Sequence, residues 1–249
     1  ITQAKTVTVD ASVDTSTDGT KSNLTSLSAS ASGADLTIAG GANGVTLTTA
    51  ITAGAAGAYG DVTFTGSGAL THAALTANVV TYDASAMTGA VTMSDVISGN
   101  VTTIKTGSAN DTVLAGAVTA TAINTGAGND TVQLFNDYGT KTVTLGGGAG
   151  TDTLSFVTGT KLSDLTASST VTGFENLKLF ATGTAQEIDA DLLNDATYNV
   201  SASASGANAT VTVVIGTADT DISLAALVES TNVANTVAGM TFVADASAN

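Results

Sequence analysis

A six-residue turn recurs three times in this chain, and each copy ends in an aspartate. The copies read Thr-Gly-Ser-Ala-Asn-Asp at 106–111, Thr-Gly-Ala-Gly-Asn-Asp at 125–130 and Gly-Gly-Ala-Gly-Thr-Asp at 147–152. Each runs straight into Thr-Val or Thr-Leu. Glycine lets the backbone turn tightly, the aspartate supplies a carboxylate, and the apolar residue two places on starts a strand. Asp111, Asp130 and Asp152 lie 19 and 22 residues apart, close to one coil of a two-sheet helix. The chain between them holds a second apolar patch, Leu114 to Ile123 and then Val143 to Leu145, enough for the opposite sheet. The spacing therefore predicts coils stacked at the strand separation of about 4.8 Å.

The rest of the chain repeats the same strand grammar. Short alternating runs occur at Thr6 to Val9, Leu36 to Ile38, Val45 to Thr48, Val62 to Thr65 and Val79 to Tyr82, and continue to Val211–Ile215. Period-2 alternation of β-branched residues reads as half-buried strands. The expected fold is all-β: a right-handed parallel β-helix or β-roll solenoid over about residues 75–182. Residues 1–74 read as an N-terminal β-rich layer and 183–249 as a C-terminal β-rich segment, either further coils or a small sandwich. Helical signal is sparse. Asp221 is a good N-cap for two turns over Ile222 to Glu229, and Ala190 to Asn194 suits one turn.

Composition narrows the function. The chain carries 21 acidic and 6 basic residues, a net charge of −15, so it has nothing with which to neutralise nucleic-acid phosphates. It has no Cys and therefore no disulfide framework or thiolate metal site. No apolar run is long enough to span a membrane as a helix. The chain begins at Ile1 without a leader and reads as a piece of a longer protein. Aromatic residues make up only 4%, so the core must be thin layers of Val, Leu, Ile and Ala.

Glycine carbonyls together with aspartate carboxylates suit Ca²⁺, a hard cation that takes six to eight oxygens. The turns match the nonapeptide Gly-Gly-x-Gly-x-Asp-x-U-x, with U a large apolar residue, a pattern associated with Ca²⁺-binding parallel β-helices. The copy at 147–155 is complete, the copy at 125–133 has Thr125 for the first glycine, and the copy at 106–114 has Thr106 there and Ala109 for the third. Stacked carboxylates would repel, and a divalent cation would relieve them.

The chain resembles RTX proteins, and within them the surface-layer proteins of Gram-negative bacteria. The likeness runs from Val80-Thr-Tyr-Asp-Ala-Ser85 through the three turns to Asp152-Thr-Leu154 and Val171-Thr-Gly-Phe-Glu-Asn-Leu177. The resemblance implies type I secretion, an extracellular, cell-surface location and calcium-dependent self-assembly into a two-dimensional lattice. It also implies contacts with other domains of a longer chain and with cell-surface glycan. It implies that Asp111 with Asp130, and Asp130 with Asp152, share Ca²⁺ ions. Carbonyls would come from Gly126, Gly128, Gly148 and Gly150, and from Gly107 and Ala109, where the Cβ of Ala109 disfavours a left-handed turn. Glu175 reads as a strand-edge carboxylate rather than a ligand.

No catalytic constellation stands out, and the chain reads as structural rather than enzymatic. His72 is the sole histidine, and the serines lack a nucleophile-elbow context. The carboxylate pairs Asp189/Asp191 and Asp219/Asp221 lack the tryptophan platforms of sugar sites and read as surface turns or extra calcium ligands. Two other readings remain open: an RTX adhesin or stalk touching glycans or a host surface, and the calcium module of an extracellular polysaccharide enzyme.

Overall fold

The computed structural model describes residues 6–11, 22–24, 27–29, 32–55, 57–76, 78–97, 100–116, 120–135, 138, 141–157, 161–162, 168–179, 186–189, 198–202, 211–214 and 227–229. Among them the chain is all-β, with no helix, and its parallel strands stack in coils as a solenoid. One long sheet runs in the order β1 (Thr6–Ala11), β4 (Asp35–Gly40), β7 (Ala58–Gly66), β9 (Val79–Met87), β11 (Thr103–Lys105), β13 (Ala120–Asn124), β15 (Thr142–Gly146) and β18 (Thr170–Thr172). At its start β3 (Leu27–Ala29) pairs β6 (Ile51–Ala55), which folds back on β7 as a short antiparallel hairpin.

The second long sheet runs β2 (Ser22–Leu24), β5 (Val45–Leu47), β8 (Leu70–His72), β10 (Val91–Met93), β12 (Thr112–Ala115), β14 (Thr131–Leu134), β16 (Thr153–Phe156), β19 (Asn176–Leu179), β21 (Tyr198–Ala202) and β23 (Leu227–Glu229). A third sheet, β17 (Lys161–Leu162), β20 (Gln186–Asp189) and β22 (Val211–Val214), covers the later coils. The first two sheets pass unbroken through 74/75, and the second passes through 182/183, so the described strands on both sides of these boundaries join the same sheets.

The alternation seen in the sequence fixes which face is buried. On the first sheet, Leu36, Val62, Tyr82, Ile104, Ile123 and Leu145 stand in register and are all buried. On the second, Val113, Val132, Leu154 and Leu177 do the same. Each fully buried aliphatic side chain contributes roughly 1.5–3 kcal/mol of hydrophobic stabilisation. The alternate positions turn outward, and on the second sheet Thr46, Thr71, Thr92, Thr112, Thr131 and Thr153 form one uninterrupted column. Met87 and Met93 fill the core as expected from the sequence.

The helix expected at 222–229 needs correction. Leu227–Glu229 is strand β23, in parallel register with Tyr198–Val200. The open edge of β21 offers backbone partners, and this outweighs the local helix signal of an Asp N-cap. Residues 222–226 and the turn expected at 190–194 lie outside the described residues, as do Asp191, Asp219, Asp221 and Met240.

His72 is a core residue. Its ring stacks on Phe64, with centroids 5.8 Å apart, and leans on Tyr82 at 5.1 Å. Nδ1–H donates to the Ala73 carbonyl at 2.6 Å, and Nε2 is buried without a partner. Burial pulls the His72 pKa from 6.5 down to about 4, against a smaller upward pull from that hydrogen bond. The fold therefore holds His72 neutral while the unfolded chain takes up a proton. This contribution is intact above pH 6.5 and is lost as pH falls toward 4, by up to roughly 3 kcal/mol. Replacing His72 by Phe keeps the stacked ring without the base. Denaturant unfolding of His72→Phe at pH 7 and pH 4 should show an acid loss smaller than the parent's by about that amount. Equal losses would mean that His72 is not held neutral.

Candidate functional site: a carboxylate column at the turn edge

The three glycine–aspartate turns join a strand of the first sheet to a strand of the second: 106–111 link β11 to β12, 125–130 link β13 to β14, and 147–152 link β15 to β16. Strand register stacks them directly over one another. Coil-on-coil contact is tight enough to explain the motif glycines. A Cβ on Gly128 would lie 2.4 Å from the Ala109 carbonyl oxygen, and one on Gly150 would lie 1.7 Å from that of Gly128. Both also hold φ values, +124° and +147°, that side chains rarely adopt. The first turn follows a different path: Gly107 lacks the positive φ of its counterparts Gly126 and Gly148, and Ala109 replaces the third glycine.

Of the carbonyls expected as ligands, two have work within the stack. Gly107 O accepts from Ala127 N at 3.0 Å, and Gly126 O accepts from Ala149 N at 2.9 Å. The threonines that replace the first motif glycine act as rivets. The Thr106 hydroxyl donates to Thr125 O at 2.9 Å, and that of Thr125 donates to Gly147 O at 2.6 Å. On the exposed side, Asn110 Oδ1 accepts from Asn129 N, and Asn129 Oδ1 accepts from Thr151 N.

The aspartates Asp111, Asp130 and Asp152 are brought together in one buried column. Asp111 Oδ1 accepts from Val91 N, Asp130 Oδ1 from Asp111 N, and Asp152 Oδ1 from Asp130 N, each at 2.7 Å. Every rung thus caps the amide of the rung before it. The column has a fourth member that the sequence reading set aside. Glu175 Oε2 accepts from Asp152 N, also at 2.7 Å, and Asn176 pairs Thr153 in register. Glu175 is therefore a rung of the ladder and not a bare edge carboxylate. The available signal was its distance from Asp152, 23 residues, which is again one coil.

The second carboxylate oxygens distinguish the rungs. Asp111 Oδ2 accepts from Gly107 N at 3.1 Å. Asp130 Oδ2 and Asp152 Oδ2 are buried and have no hydrogen-bond partner. The Thr125 hydroxyl lies close enough to favour ionised Asp130, but its proton is committed to Gly147 O. Burial raises the pKa of all three aspartates, and the neighbouring charges of Asp111 and Asp152 add to the rise at Asp130, which reaches about 6. At Asp152 the charge of Glu175 acts in the same sense.

Among the described residues no three His, Cys, Asp or Glu side chains converge on a metal-sized space. Each gap between rungs instead has two carboxylates, one from each of two successive coils. Two orphaned anionic oxygens in a buried, like-charged stack are costly without a cation or a proton, and oxygen-only donors of this kind fit a hard divalent ion. No protein-family model matches the chain, and neither a curated protein nor a solved structure does.

Two outcomes follow from this geometry. In chelator, a raised Asp130 pKa means that the fold disfavours its ionised form. That contribution is intact below the unfolded value of 3.8 and is lost as pH rises through about 6. Asp130→Asn keeps an acceptor for Asp111 N and removes the charge. Its chelated melting temperature should overtake the parent's between pH 4 and pH 7, and a constant difference across that range would contradict the shift. Separately, Gly150→Ala should cost at least about 3 kcal/mol through clash and strain. Because alanine keeps the carbonyl, that loss should persist in chelator. A denaturation midpoint within error of the parent's would refute the close stacking.

Proposed function

We propose that this chain is a calcium-stabilised structural segment of a secreted bacterial surface-layer protein, and that it makes contacts in a two-dimensional self-assembled lattice. The observation that carries the calcium part is the pair of buried, unpartnered oxygens, Asp130 Oδ2 and Asp152 Oδ2. Asp130 and Asp152 would share one ion with carbonyls of Gly126, Gly128, Gly148 and Gly150. Asp111 and Asp130 would share another with Gly107 and Ala109. That second gap is the weaker of the two, because both Asp111 oxygens already accept amides.

Bound Ca²⁺ supplies the positive charge that lets the column stay ionised. The chain's own contribution is to hold the rungs in register and keep water from their inner oxygens. Binding then adds to folding free energy, about 2.7 kcal/mol per site at a hundredfold excess over Kd. The surface-layer part rests on the motif order from Val80 to Leu177 and on the acidic, cysteine-free composition. No helix among the described residues is long and apolar enough to cross a membrane.

Thermal melts at pH 8 should rise on adding Ca²⁺ to the chelated chain. Asp130→Ala should abolish more of that rise than Asp111→Ala, since Asp130 belongs to both gaps. Electron microscopy should then show sheets in Ca²⁺ and none in chelator. A melting temperature indifferent to Ca²⁺ would sink the calcium reading. Monodisperse rods in Ca²⁺ would remove the lattice and favour an adhesin stalk.

A further inference from the structure

We infer that Glu175 and Asp152 form an additional site for a divalent hard cation, one coil beyond the last glycine–aspartate motif. The inference rests on the calcium reading above. The turn that ends in Glu175 is only three residues, Gly173 to Glu175, where the motif turns have six. It is nevertheless in register. Gly173 lies so close to Gly147 that a Cβ on Gly147 would fall 1.9 Å from the Gly173 carbonyl oxygen. Gly173 itself holds φ +68°, and Gly147 N donates to Thr172 O at 3.0 Å.

The extra methylene of glutamate makes up for the shorter turn. Glu175 Oε2 reaches Asp152 N at 2.7 Å, the same length as the aspartate rungs above. Phe174 is buried where a motif turn would carry its loop residues. Asp152 thus lies between two carboxylates, and its Oδ2 is buried with no partner. An acidic pair alone would prove nothing. What marks the gap as a binding place is this unpartnered buried oxygen, which it would share with the Asp130/Asp152 gap, beside a second carboxylate that the backbone register holds in place. Below Glu175 the column ends in the buried ring of Tyr198, whose strand follows in register.

Calorimetric titration with Ca²⁺ and native mass spectrometry of the full chain test this. Glu175→Gln keeps the acceptor for Asp152 N and removes the charge, so it should bind one ion fewer than the parent. The chelated melting temperature of Glu175→Gln should not fall below the parent's, which separates loss of charge from general disturbance of the turn. Tb³⁺ excited through tyrosine gives a second readout. Tyr198→Phe and Glu175→Gln should each remove the same component of the emission. Equal stoichiometry and affinity in Glu175→Gln and the parent, or unchanged terbium emission, would overturn the site while leaving the motif sites standing. A parent chain that binds no Ca²⁺ would overturn both readings.

Discussion

Parallel stacking in register, shifted only locally where β7 meets β9, governs the described coils of this molecule. Once the coils are in register, each residue lies over its counterpart one coil away, at a spacing of about 4.8 Å. Like therefore meets like. Aliphatic side chains over aliphatic side chains make a core with few aromatics, and threonine over threonine makes a continuous outer column. Glycine over a carbonyl oxygen permits a closer approach than any Cβ allows. The same rule sets carboxylate over carboxylate at Asp111, Asp130, Asp152 and Glu175. Three of these arrangements stabilise the fold directly. The last is self-repelling, and burial with neighbouring charge raises the pKa of Asp130 to about 6.

The two oxygens of each carboxylate divide the work. The first caps the amide of the preceding coil, a charge-assisted bond that ties neighbouring coils together. The second is surplus at Asp130 and Asp152. A turn that needed only a cap could use asparagine, as the exposed side of the same turns does with Asn110 and Asn129. An aspartate there instead leaves a second, unpartnered oxygen in the buried column, and on this the proposed cation site rests.

The fold was largely legible in the sequence because its signals are periodic. The recurrence of a turn every coil and the period-2 alternation of Val, Leu and Thr depend on local spacing alone. Asp111, Asp130 and Asp152 were found for the same reason. The place of Glu175 in the ladder was not seen, because its turn is half as long and carries no aspartate. Only the backbone register reveals that a longer side chain from a shorter turn reaches the same amide. The strand at Leu227–Glu229 was hidden for a related reason, since its pairing partner lies a full coil away at Tyr198–Val200. The glycines were recognised for their tight turns and their carbonyls, but not for the close approach between coils. Gly128 and Gly150 are required by close packing whether or not an ion binds.

The most direct measurement is residue-resolved amide hydrogen exchange in Ca²⁺ and in chelator at pH 8. The amides of Asp111, Asp130 and Asp152 donate to the next rung, so their protection reports the integrity of the column. If a cation holds the rungs together, these three amides should exchange markedly more slowly in Ca²⁺, while amides of the early coils such as Val62 and Phe64 change little. Identical protection of the column in both conditions would contradict the account.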